Sequence, residues 1–188
     1  MDKNVIPCIK LTAITMLLFG VIYPITITTI SWLAPGRGDG VTLETNGKVV
    51  GYEVIGQSFR SEKFFHSRPS VVDYNPASTG GSNKGPSNPE YLAIVEKRIA
   101  DILSLNPAIE KDQVPVDLIT ASGGGLDPHI SPAAARIQTA RIAHARQLNP
   151  SLIEKLVEDH IETQPAGMGS SKVNVVKLNI ALEKLKTP

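Results

Sequence analysis

Residues 11–36 read LTAITMLLFGVIYPITITTISWLAPG, an uncharged run with Lys10 just before it and Arg37 just after. About 20 apolar residues at 1.5 Å each cross the ~30 Å hydrocarbon core of a bilayer. A lone segment in lipid can satisfy its own backbone only as a helix, so the run predicts one membrane span. Trp32 falls near one end, at the headgroup level that indoles favour, and Tyr23 lies mid-run. Pro24 would kink a soluble helix but is tolerated where neighbouring helices pack against the break. Thr26, Thr28 and Thr29 can bond back to their own helix or across to another, which makes Gly20 and Thr26 candidate contacts with a partner helix. The run is longer than the ~7–15-residue core of a signal peptide, and Trp32 and Pro35 occupy positions where a small-x-small cleavage site would be wanted. It therefore reads as an uncleaved anchor over 11–35, between a short N-terminus (1–10) and a tether (36–40) leading to one soluble domain (41–188). Lys3, Lys10 and the free amine outweigh Asp2 on one flank, whereas Asp39 balances Arg37 on the other. The positive-inside rule then puts the N-terminus in the cytoplasm and the domain outside.

The chain has 188 residues, and removing the anchor leaves about 150, enough for a single core. A net charge of +1 without a basic tract gives no footing for nucleic acid. Aromatic residues are few, so the core must be aliphatic. The single cysteine, Cys8, precedes the span, so the domain is held by packing rather than by disulfides.

Beyond the tether, Val41–Thr45 and Lys48–Ile55 are β-branched runs joined by Asn46-Gly47, the strongest short signal for a hairpin. Phe59, Phe64 and Phe65 are expected in the core. From His66 to Asn88 the sequence HSRPSVVDYNPASTGGSNKGPSN has no periodic apolar pattern, as expected of an ordered functional loop anchored by Val71 and Tyr74. Asn88-Pro89 opens a helix through about Leu105, with Asn88 as cap. Val114–Thr120 reads as a short strand. Ser131-Pro132 starts a second helix through Gln147, Asn149-Pro150 a third to about Glu162, and Val173–Lys186 forms a fourth after a turn at Gly167 and Gly169. The class is α/β or α+β: one anchor, a small sheet and about four helices.

The chemistry is thin. Four histidines (His66, His129, His144, His160) are scattered without metal spacing. Ser122 is not in a G-x-S-x-G elbow, and Gly123-Gly124-Gly125 lacks the Gly-Lys-Ser/Thr ending of a P-loop. These glycines read as a tight connection, with a weak phosphate cradle as the alternative. Asp127 and His129 form either an acid–base pair or a hydrogen-bonded turn. Asn83 and Lys84 sit in a loop too polar for a core, as expected of an interaction surface or of a turn network that satisfies itself.

Five stretches in order carry a resemblance: FFHSRPS (64–70), YNP (74–76), STGGSNKGPSNP (78–89), TASGGGLDPHISPAAA (120–135) and VNVVKLN (173–179). Together they resemble the C subunit of the Kdp-type potassium-transporting ATPase, over essentially the whole chain. Gly124 stands where a serine is common in that family. The resemblance implies a bacterial inner-membrane accessory subunit beside a channel-like potassium-binding subunit, a P-type ATP-hydrolysing subunit and a very short membrane peptide. It implies no catalytic residue and no resident cofactor or metal in this chain, with potassium handled by the partners. The family is described as helping the catalytic subunit bind ATP, which makes Ser122, Gly123, Gly124 and Gly125 the candidate nucleotide residues. Asp127 and His129 join Asn83, Lys84, Gly20 and Thr26 as candidate partner contacts. An outward-facing domain conflicts with direct contact to a cytoplasmic nucleotide, and two readings follow: a structural or regulatory subunit, or an ATP-binding accessory in the opposite orientation.

Overall fold

A computed structural model describes residues 3–163 and 169–185. The chain divides into two compact units, Met1–Thr42 and Leu43–Pro188. The first is built on α1, Val5–Ser31, a 27-residue helix with no buried position, long and apolar enough to cross a membrane. It begins earlier than the uncharged run, because Val5, Ile6 and Ile9 extend the apolar surface on the other side of Lys10. At Leu18–Ile22 the helix widens to a π turn, in which the Tyr23 N–H donates to the Leu18 carbonyl. The widening lies just ahead of Pro24, whose ring removes an N–H and crowds the preceding turn. Four hydroxyls bond back along the helix: Thr15 to the Leu11 carbonyl, Thr26 to Ile22, Thr29 to Ile25 and Ser31 to Thr28.

The second unit is α+β. The strands β1 (Thr42–Thr45) and β2 (Lys48–Tyr52) form the expected hairpin. Asn46 and Gly47 both adopt positive φ, at 53° and 73°, as a type I′ turn requires. The loop that follows leads to α2 (Pro89–Leu105), where the Asn88 side chain accepts the Tyr91 N–H. The expected strand at Val114–Thr120 is instead a single helical turn, α3 (Val116–Ile119). Pro115 caps the turn from just before its first residue, with the extended backbone (ψ of 142°) that an N-cap adopts. Asp117 on that turn accepts the Ser131 N–H at 2.6 Å and its hydroxyl at 3.1 Å.

A three-stranded antiparallel sheet follows, in the order β3–β5–β4: β3 is His129–Ile130, β4 Ile161–Glu162 and β5 Lys172–Asn174. Val173 in the centre pairs with Ile130 on one side and Ile161 on the other. The expected helix from Ser131 to Gln147 is broken into α4 (Pro132–Arg136) and α5 (Thr139–Arg146). The third expected helix stops at Asp159 (α6, Pro150–Asp159), and the fourth starts at Val175 (α7, Val175–Lys184). In both, residues taken for helix ends are strands β4 and β5. The expected turn at Gly167 and the end at Lys186 lie outside the described residues.

The core is aliphatic around Phe65: Ile130, Ile142, Ile153, Val157, Val173, Val175, Leu178 and Leu182 are buried with it, while Phe59 and Phe64 pack on its margin. Side-chain amides hold the chain entering this core where no strand could. The Asn179 carboxamide accepts the Phe65 N–H at 2.9 Å and donates to the Phe65 carbonyl at 3.0 Å. Gln138 accepts the His66 N–H at 2.8 Å and donates to the Ala134 carbonyl, at the break between α4 and α5. Arg141 donates to the carbonyls of Glu62 and Phe64 and to the amide oxygens of Gln138 and Asn106. Burial lowers the Arg141 pKa to about 10, against the opposing pull of Glu62, and these acceptors keep its guanidinium in place.

Candidate functional site

Two of the stretches singled out in the sequence, 66–88 and 120–135, meet through their backbones. The Ser122 N–H donates to the Pro69 carbonyl at 3.3 Å, the Gly80 N–H to Gly124 at 3.2 Å, and the Gly56 N–H to Leu126 at 2.8 Å. Gly125 has φ of 75°, and a Cβ there would meet the Val72 side chain at 2.6 Å and the Gly80 carbonyl at 3.2 Å. This glycine is required by conformation and by space alike. Ser122 is buried, whereas Gly123 and Gly124 form an exposed tip with open space where a Cβ would stand. The helix that follows, α4, is five residues long, and its Ala134 N–H is taken by the Ser131 hydroxyl at 3.0 Å.

Asp127 and His129, adjacent in the sequence reading, are also brought together in the fold. One Asp127 oxygen accepts the His129 backbone N–H at 3.0 Å, closing the hydrogen-bonded turn. The same oxygen lies 3.4 Å from His129 Nδ1, and the other accepts Arg68 Nη1 at 2.9 Å. His129 Nε2 is 3.7 Å from Glu162, whose second oxygen accepts Lys177 Nζ at 3.2 Å. Lys177 also donates to Glu53 at 2.5 Å. Arg68, Asp127, His129, Glu162, Lys177 and Glu53 thus form a continuous polar line beside the three-stranded sheet.

Burial alone would raise the Asp127 pKa, but hydrogen bonds from His129 and Arg68 outweigh it and hold the carboxyl at about 2. Burial likewise works against the Lys177 ammonium, and its bonds to Glu53 and Glu162 more than offset it, raising the pKa. Tyr74 donates its hydroxyl to the Arg68 carbonyl, and burial pushes its pKa up to about 12, so it remains a donor at neutral pH. A cleft of about 590 Å³ opens beside this line, its wall including Arg68, Asp117, Asp127, His129, Ser131 and Lys172. Both carboxylates on that wall already hold hydrogen-bond donors. The arrangement fixes two turns against one another and leaves little free basicity for proton transfer.

Folding lowers the Asp127 pKa from its ordinary 3.8, so the unfolded chain holds the proton more tightly than the folded one. The resulting stabilisation is complete above about pH 4, fades as pH falls, and is gone below about pH 2. It amounts to roughly 1–2 kcal/mol once solvent screening is allowed for. Thermal midpoints recorded from pH 7 to pH 2 are expected to fall less steeply for Asp127→Asn than for the unaltered chain between pH 4 and pH 2.

The other sequence candidates lie elsewhere. Asn83 and Lys84 are exposed, Asn83 at a positive φ of 49° and Lys84 beside Glu90 at 3.2 Å. Gly20 and Thr26 are on α1, where the Thr26 hydroxyl is bonded back to Ile22. Among the described residues no three His, Cys, Asp or Glu side chains cluster as metal ligands. Sequence reasoning passed over Arg68, Glu162, Lys177 and Glu53. Arg68 lies inside the FFHSRPS stretch and was accessible as a motif residue. The other three converge from positions 53, 162 and 177, with no local signal.

These features define a class: a single-span membrane protein whose α+β domain uses its polar motifs to order two long loops. The family model for the K+-transporting ATPase c chain, KdpC, matches residues 5–184. The potassium-transporting ATPase KdpC subunit of Flavobacterium johnsoniae is 52% identical over 184 residues, covering 98% of this chain and all of that protein. The KdpC subunits of Bacteroides fragilis and Caldanaerobacter subterraneus subsp. tengcongensis are 43% and 41% identical, with 98% and 99% of this chain and 98% of each relative covered. The chain belongs to the KdpC family of potassium-transporting ATPase subunits.

Proposed function

We propose that this chain is a non-catalytic accessory subunit of an ATP-driven potassium import complex in the bacterial inner membrane. Its domain acts as a docking body for the channel-like potassium-binding subunit, the P-type ATP-hydrolysing subunit and a small membrane peptide. The observation that carries this reading is the engagement of the loop residues with one another: Arg68 and the His129 N–H bind the Asp127 carboxylate, and the Ser131 N–H binds Asp117. Such a network sets the shape of the loops they support. Any effect on ATP affinity in the pump is then a coupling free energy transmitted through subunit packing. The flanking charges favour a cytoplasmic N-terminus and an external domain.

Asn83 and Lys84, exposed on the longest irregular segment, are assigned to the partner surface. Replacing both by alanine is expected to reduce the pump subunits recovered with the full chain several-fold while moving its thermal midpoint by no more than ~2 °C, since exposed positions away from structural features cost little. A fall in the midpoint with unchanged recovery would make the loop structural only. A tag at the C-terminus, tested for protease access in intact cells, checks the orientation.

One observation favours the alternative reading, direct ATP contact: Gly123 and Gly124 are exposed and unobstructed. Against it, the stretch holds no lysine, and Asp127 adds negative charge beside any bound phosphate. The full chain is expected to bind ATP no more tightly than millimolar. Saturable micromolar binding that alterations at Gly123 or Gly124 abolish would restore the nucleotide reading.

A further inference from the structure

Between the end of α2 and the break that separates α4 from α5 lies a cavity of about 410 Å³, apart from the polar line described above. Its wall is aliphatic, with Leu105, Pro107, Ala108, Ile109, Ile137 and Ala140. Arg141, only 8% exposed, lines it too. So do Glu62 and Asn106, two of the residues that receive hydrogen bonds from its guanidinium. A guanidinium carries five N–H groups. Here Nε donates once, to Asn106, and Nη2 twice, to Phe64 and Gln138, while Nη1 donates once, to the Glu62 carbonyl. One Nη1 hydrogen therefore has no acceptor among the described residues, and every acceptor the group does have is neutral. Arg136 and Arg146 pair with Glu158 and Glu183, but no carboxylate among the described residues stands within 4 Å of the Arg141 guanidinium. Glu62 acts on it only from farther off. Buried arginines are ordinarily paired, so this one leaves a positive charge without its counter-ion at the wall of an apolar cavity.

We propose that the cavity binds a medium-chain fatty acid, with its chain along the aliphatic wall and its carboxylate on Arg141. The carboxylate supplies the counter-charge and takes the spare Nη1 hydrogen in a charge-assisted bond, the strong kind. A wall of aliphatic side chains suits a methylene chain, each buried CH₂ adding to affinity. The volume lies in the range of small-molecule sites, about 300–1,000 Å³. The Glu62 carboxylate on the same wall disfavours a doubly charged head group, which selects a carboxylate over a phosphate. The site is separate from Asn83 and Lys84 and does not depend on the partner surface assigned to them.

The test uses the full chain in phosphatidylcholine nanodiscs, titrated calorimetrically with octanoate, a water-soluble acid of this class, with empty nanodiscs as the blank. Saturable binding of one octanoate per chain is expected. Arg141 is left unaltered, because it also holds the Glu62 and Phe64 carbonyls, and the head group is varied instead. Octanol and octylamine keep the chain and lose the carboxylate, and are expected to bind at least about tenfold more weakly, the scale of one hydrogen bond to a charged group. Ala140→Trp fills the cavity from an exposed position and is expected to weaken octanoate to a similar degree while moving the thermal midpoint by no more than ~2 °C. The δ1-methyl resonances of Ile109 and Ile137 are expected to shift on binding, and those of Ile130 and Ile153, in the core, to stay. Lack of saturation up to about 10 mM octanoate would overturn the proposal. So would octanol binding as well as octanoate, which would make the cavity a merely apolar groove. Binding that Ala140→Trp leaves unchanged, or that shifts neither Ile109 nor Ile137, would place the acid elsewhere. A short acidic peptide ending in leucine that binds more tightly than octanoate would assign the cavity to a protein partner and equally defeat the fatty-acid assignment.

Discussion

Asn179→Leu is expected to lower the thermal midpoint of the domain by on the order of 10 °C, the largest effect of any single change that preserves side-chain volume. Asn179 is 2% exposed and Phe65 fully buried, and the carboxamide serves both backbone groups of Phe65. Leucine fills the space but leaves one N–H and one carbonyl buried without partners. Each orphan costs about 1–3 kcal/mol, so the pair costs about 2–6 kcal/mol. At about 2–4 °C per kcal/mol for a domain of this size, the shift follows. Asn179→Asp is no rescue, because it keeps the acceptor, loses the donor and places a charge in the core. A thermal melt of the full chain in detergent, followed by far-ultraviolet circular dichroism, measures the change. A shift below ~2 °C would mean that Phe65 finds other partners.

Gly125→Val is expected to be the most damaging change in the glycine stretch, and Gly124→Ala in the same stretch nearly silent. At Gly125 a β-branched residue would have to adopt φ of 75° and press on the Val72 side chain and the Gly80 carbonyl. Strain and overpacking together cost about 2–5 kcal/mol. The relaxation separates residues 121–127 from residues 69–80, so assembly is expected to fall along with stability. Gly124 meets nothing within 4 Å and its backbone is not in the left-handed region, so alanine there should change neither. Paired melts and co-purification of the two variants read the contrast. Equal damage at both positions would mean that the exposed tip, not the interlock, is what matters.

Much of the fold was legible where the cause is local. Asn88-Pro89, Ser131-Pro132 and Asn149-Pro150 each marked a helix start, and each side chain accepts a backbone N–H as a cap should. Asn46-Gly47 fixed the hairpin, because few other pairs adopt two positive φ angles cheaply. What escaped was non-local. Val173 looks like the first turn of an apolar helix until Ile130 and Ile161 arrive on either side to make it a central strand. The break after Arg136 depends on the Gln138 carboxamide holding the distant His66, which no periodicity reports. Val114–Thr120 had strand-like composition, but Asp117 is engaged from a helical turn. The site was half legible for the same reason: Asp127 and His129 share a motif, whereas Glu162, Lys177 and Glu53 meet them only after folding.

The contacts that close the domain all join its beginning to its end. Asn179 to Phe65 spans 114 residues, Asn174 to Glu53 spans 121, and Lys177 to Glu53 spans 124. Both asparagines and the lysine lie in the last described helix or at its cap. A ribosome releasing this chain therefore delivers the acceptors of Glu53 and the backbone of Phe65 long before their partners exist. The hairpin and the long loop must wait, unlocked, until α7 emerges, and loop-closure entropy makes that final step slow relative to helix formation. Nascent chains arrested just short of residue 174 should thus be open to proteases throughout the domain, and loss of the final helix should forfeit the whole fold rather than trim one edge of it.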